Sequence, residues 1–109
     1  MKPQGVSVEQ NKSQQTIRVT LEATFPVDEW AEFLDFYHAK RGEGFLCWIL
    51  DLRQLPDLSS LLLGMLVTLN ASVANHGGSL TLLVFSDSYV DRILQGTLLD
   101  RVLQIERIR

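Results

Sequence analysis

The chain has 109 residues, is 46% hydrophobic, carries a formal net charge of −3 and contains one cysteine. That length favours a single compact domain over 1–109, with enough apolar content for a real core. The acidic balance argues against nucleic acid or an anionic membrane as partner, and the lone thiol of Cys47 excludes an internal disulfide and leaves any zinc site short of ligands.

Residues 1–15 are polar and lack the apolar segment of a secretory leader, so a cytoplasmic protein is expected. Val6 and Val8 alternate with polar neighbours, which predicts an edge strand over residues 5–9. Asn11-Lys12-Ser13-Gln14 reads as a turn. Ile17, Val19 and Leu21 then alternate with Arg18, Thr20 and Glu22, the pattern of a half-buried strand. Pro26 ends that segment, and Asp28 and Glu29 place negative charge where a helix begins.

A first helix is predicted over about 27–40. At 100° per residue Val27, Trp30, Phe33, Leu34 and Tyr37 share its inner face, while Phe36 falls among Asp28, Glu32 and Asp35 and is expected to be exposed. Arg41-Gly42-Glu43-Gly44 closes the helix, with Gly42 or Gly44 able to take the left-handed conformation. Phe45 to Leu50 is almost wholly apolar, which predicts a central strand buried on both faces, with Cys47 inside it as a small hydrophobe.

A second helix is expected over about 59–75, ending near His76-Gly77-Gly78. Its apolar run from Leu61 to Leu69 contains Gly64 and Thr68 and is too short to cross a bilayer. Leu80 to Phe85 forms another buried strand. Ser86 or Asp87 can cap a third helix over about 88–96, with Val90, Ile93 and Leu94 inward. A helical turn over 97–102 and a short strand around Leu103, Ile105 and Ile108 complete the chain. The order is β-β-α-β-α-β-α-β. Right-handed crossovers turn it into an α/β fold, a mixed and mostly parallel sheet of four or five strands flanked by helices.

The stretch most informative for function joins the central strand to the second helix. Leu50-Asp51 ends the strand, a short loop follows, and Ser59-Ser60 opens the helix, where free backbone N–H groups can receive a phosphate. The plainer reading is that a serine caps the helix. Along this helix Leu62, Leu66, Leu69 and Val73 fall between about 80° and 140° from Leu61 and make one buried stripe. Leu61 and Met65 lie instead among small polar residues, as a partner-binding spot would. The alternative is that loop residues 53–58 fold over them.

This pattern resembles the STAS domain, the family of anti-sigma-factor antagonists. The family reads approximately as an apolar strand, Asp-Leu, a loop of about six residues and Asp-Ser-Ser-Ala/Gly-Leu-Gly; a subgroup continues Met-Leu-Leu. The matching stretch here is Ile49-Leu50-Asp51-Leu52, then Ser59-Ser60-Leu61-Leu62-Leu63-Gly64-Met65-Leu66. Thr16 to Phe25 resembles the family's second strand, and Tyr89-Val90-Asp91-Arg92-Ile93-Leu94 the helix before the last strand, so the likeness runs over about 5–108. It implies a regulatory domain without enzymatic activity, in which a partner kinase, often itself the anti-sigma factor, phosphorylates the first serine of the pair and breaks the complex.

By alignment Ser60 takes the phosphorylated position, with Ser59 and Asp57 beside it and Leu61, Met65 and Phe36 as further contacts. A homodimer is a further option. Three residues depart from the family pattern: Ser59 stands where it has aspartate, Leu61 where it has the second serine, and Leu62 where it has a small residue. The alternative the family offers is constitutive binding without modification, as an accessory subunit of a lipid-transport ABC ATPase or of a stress-signalling assembly.

Other classes fit less well. Leu50-Asp51-Leu52-Arg53 superficially resembles a response-regulator receiver. Such a site needs an acidic pair for Mg²⁺ and a late lysine, and the last lysine here is Lys40. No Gly-x-Ser-x-Gly elbow, Walker loop or dinucleotide glycine fingerprint occurs. His38 and His76 have no carboxylate or cysteine at ligand spacing, so neither metal nor cofactor is expected.

Overall fold

The computed structural model describes residues 2–109. Five strands form one sheet in the order β1-β2-β3-β4-β5. The first two, β1 (Val6–Asn11) and β2 (Thr16–Leu21), are antiparallel. Then β3 (Cys47–Asp51), β4 (Ser79–Phe85) and β5 (Gln104–Ile108) add successively in parallel. The crossovers hold α1 (Trp30–Gly42), preceded by a 3₁₀ turn at Val27–Glu29, then α2 (Ser60–Asn75), then α3 (Tyr89–Gly96) with a 3₁₀ turn at Leu99–Arg101. This is the β-β-α-β-α-β-α-β order expected from the hydrophobic pattern.

Each parallel strand lies beside its predecessor, so right-handed crossovers put all three helices on the same face of the sheet. The burial pattern agrees. Ile17, Trp48 and Leu80 are in register and buried, as are Val19, Leu50 and Leu82, and all belong to one core cluster. The residues between them, Arg18, Ile49 and Thr81, are only half-buried. Leu83 is buried on this second face, outside the main core cluster.

Two expectations are therefore corrected. The central strand β3 is covered on one face rather than both, and Cys47, at its start, is exposed rather than buried. An apolar run tells nothing about which side of a sheet a crossover helix will take.

Phe36 is the third correction. It is 6% exposed, set edge-on to Trp48 at 6.3 Å between ring centres, and belongs to the core. Trp30 stacks on Phe33 at 4.8 Å and Tyr37 packs against Trp48 at 5.0 Å, so the buried face of α1 runs through Trp30, Phe33, Phe36 and Tyr37. Phe36 lies only about 60° from Phe33 on the helical wheel, and the buried arc extends to it because Val27 and Leu34, at the arc's other margin, are only half-buried.

Other boundaries follow from local chemistry. α3 is capped by Ser88, whose hydroxyl accepts from Asp91 N–H at 3.1 Å, rather than by Ser86 or Asp87. Asp87 sits at φ +62°, outside the extended conformation that an N-cap needs. Asp91, fully buried, accepts from Asp87 N–H at 3.0 Å and from Arg107 Nε at 2.9 Å, which ties α3 to β5. Gly78 follows α2 so closely against Leu46 that a Cβ there would collide with the Leu46 carbonyl oxygen.

Candidate functional site

β3 ends at Asp51, which is nearly buried. Its carboxylate accepts from the backbone N–H of Arg53 at 3.0 Å, from Arg53 Nε at 3.0 Å and from Nη2 at 2.7 Å. Burial pushes the Asp51 pKa up. The Arg53 hydrogen bonds, with the charges of Arg53 and Arg18, outweigh that and hold it below the usual 3.8. Beyond this clasp the loop is pinned by apolar anchors. Leu52 N–H donates to the Leu83 carbonyl at 2.9 Å, Leu52 and Leu58 are buried, and Leu55 packs against the core. The loop spends its leucines inward and does not cover the start of α2. Leu61 stays 57% exposed.

The two serines divide the work. Ser59 is the N-cap of α2: its backbone is extended and its hydroxyl accepts from Leu62 N–H at 3.1 Å. Ser60 is the first helical residue and exposed, and among the described residues its hydroxyl has no hydrogen-bond partner. No acidic residue lies in the first turn of α2. Asp57 is exposed, and its carboxylate accepts from Leu58 N–H at 2.7 Å rather than from Ser60.

Beside Ser60 a shallow groove of about 420 Å³ runs between two helices. Trp30 and Leu34 of α1 form one wall; Leu61 and Met65 of α2, with Gly64 and Thr68, form the other. Ser60, Leu61 and Met65 are thus brought together. Phe36 is withdrawn into the core, and Asp57 stands apart on the loop. Trp30 and Leu34 were missed as part of this site. Their signal was an apolar pair one turn apart, but their assignment to the inner face hid it.

A second feature absent from the sequence reading lies at the carboxyl end of β4. Phe85 is 45% exposed, with the Arg53 guanidinium 5.5 Å from its ring centre. Among the described residues no group of three or more His, Cys, Asp or Glu side chains could hold a metal ion, and no helix is long and apolar enough to cross a membrane.

No protein-family model and no curated protein matches the sequence. Solved structures do match. The chain is similar to the NMR structure of the protein TM1081, with TM-score 0.78 and 20% identity, covering 92% of this chain and 78% of that one. It is also similar to the crystal structure of a "putative anti-sigma factor antagonist (tm1081)" from Thermotoga maritima, with TM-score 0.71 and 19% identity, covering 92% and 84%. The shared feature is the fold: a STAS-like α/β architecture spanning nearly the whole chain.

Proposed function

We propose that this chain is a non-enzymatic regulatory domain of the anti-sigma-factor-antagonist kind. It docks a protein partner, an anti-sigma factor with serine-kinase activity, through the first two turns of α2, and phosphorylation of Ser60 ends the association. The observation that carries this reading is the position of one hydroxyl. Ser60 is exposed and unpartnered at the first position of α2, next to an exposed leucine and at the mouth of an apolar groove.

A phosphate there adds about −1.5 to −2 charges. The unpaired N–H groups of the first turn and the helix dipole accommodate that charge, so the fold survives. The same charge at an apolar contact must be stripped of water when a partner lands, which opposes docking.

The test is a titration of the partner recovered with the wild-type chain as bait from native extract and identified by mass spectrometry. Ser60→Asp is expected to weaken binding by about tenfold or more while the melting temperature holds, and Ser60→Ala to bind like wild type. Undiminished affinity of Ser60→Asp would rule out the switch. It would favour the second reading, constitutive docking as an accessory subunit of a lipid-transport ABC ATPase or a stress-signalling assembly. That reading draws its support from Leu61, which places apolar bulk where the family carries a second serine, and from the missing acidic residue in the first turn.

A further inference from the structure

We infer that the free edge of β5 is a self-association surface, where a second copy of this chain adds its own β5 antiparallel and joins the two sheets into one. β4 separates this edge from β3 and the loop to α2, so the inference does not depend on the docking role proposed there. Three observations carry it.

The first is that the edge is open. β5 ends the sheet, and among the described residues no strand lies beyond it. The Ile108 carbonyl accepts from Ser86 N–H at 2.7 Å, so Gln104, Glu106 and Ile108 turn their backbone groups towards β4. Those of Ile105 and Arg107 point outwards by alternation, free to pair with another strand. β5 carries no proline. Its one cation is tied back to α3 and the turn after it, with Arg107 Nε 2.9 Å from Asp91 and Nη2 3.8 Å from Asp100.

The second is the contrast with β1 at the opposite edge. The Gly5 carbonyl accepts from Glu22 N–H at 2.9 Å, so by the same alternation the backbone groups of Val6 point outwards. There Lys2 Nζ donates to the Val6 carbonyl at 2.9 Å. A lysine held on a sheet edge opposes the addition of a strand. One edge of this sheet is guarded and the other is not.

The third is the register. A two-fold axis on Glu106 or on Arg107 would set like charges directly opposite each other, which is destabilising. An axis on Ile105 instead sets Ile105 against Ile105 of the second copy. On the open face of the sheet it sets Gln104 against Glu106 of the second copy, twice by symmetry. The Gln104 amide then donates to a carboxylate that is exposed and, among the described residues, has no ion pair. Val102, 60% exposed, comes level with Ile108 of the second copy. The axis is normal to the sheet, so both helix layers stay on one side and the two α2 starts face the same way.

The full chain is followed by sedimentation equilibrium from micromolar to millimolar concentration, and a reversible dimer is expected. Gln104→Glu sets carboxylates opposite one another and is expected to weaken the dimer about three- to tenfold, whereas Gln104→Lys tightens it by a similar factor. Both differences should shrink at high salt. Gln104 is exposed, so the melting temperature of the monomer is expected to hold in both variants. The register is read by crosslinking in Cys47→Ser chains. Positions 104 and 106 of opposite copies come about 4.5 Å apart between Cα atoms, within disulfide range, while like positions sit diagonally at about 7–8 Å, beyond it. A mixture of Gln104→Cys and Glu106→Cys chains is therefore expected to form the mixed disulfide about tenfold faster than either chain links to itself.

A monomer at every concentration, a dimer indifferent to the charge at position 104, or equal crosslinking in the mixture and the single chains would each overturn the inference. Self-association that is lost with Leu61→Ala would place the contact on α2 and overturn it as well.

Discussion

Asp51 and Asp91 are the two buried carboxylates among the described residues, and each holds an arginine across a junction of the fold. Burial raises both pKa values. Hydrogen bonds outweigh it, from Arg53 at Asp51 and from Gln95, the Asp87 N–H and Arg107 at Asp91, and both groups end below the ordinary carboxylate value. Folding therefore favours their ionised forms. The stability they contribute is complete above the unfolded-state pKa near 4 and is lost as the pH falls through the folded values. Urea titrations at successive pH values should show that contribution intact down to roughly pH 4 and declining below it. The Asp51→Asn/Asp91→Asn double variant should fall less steeply over the same range. A double variant that tracks wild type through the acid limb would contradict this account. Neither role was legible beforehand. Asp51 could be seen as the last residue of a strand and Asp91 as part of a helix, but their arginines are identified only by the turn after β3 and by the pairing of β4 with β5.

α2 separates two serines that look equivalent in the sequence. Ser59 supports the helix and Ser60 does not, so their alanine variants should differ in stability. Ser59→Ala is expected to lose about 1 kcal/mol, the worth of a cap, whereas Ser60→Ala stays within about 0.5 kcal/mol of wild type. Chemical denaturation measures both, and equal losses would mean that the cap is shared. The buried stripe of α2 was readable because Leu62, Leu66, Leu69 and Val73 keep a strict helical period from an N-cap to a glycine stop. α1 was read less well because its buried arc was centred too near Val27 and Leu34, which left Phe36 among the acidic residues instead of in the core. Trp30 and Leu34 sit at the margin of that arc and so serve the core and the groove together, which their assignment to the inner face concealed. A cap, a period and a stop are local signals; the groove depends on where two helices meet.

At the scale of the whole molecule, a mostly parallel sheet carries its helices on one face only, an unusual state for strands of this kind. The open face is tested cheaply through Cys47. Its thiol should react with a thiol-specific reagent in the native protein about as fast as in a denatured control, within roughly tenfold. Protection by a much larger factor would mean that this face is covered in solution. The strand order has a consequence for assembly. No later strand has to be threaded between two earlier ones, since every strand joins the outer edge left by its predecessor. A chain leaving the ribosome can therefore lay down its sheet in the order of synthesis, closing one short crossover at a time. The edge that waits for the next strand is the one hazard of that route, because until the next strand arrives its unpaired backbone groups can recruit a neighbouring nascent chain.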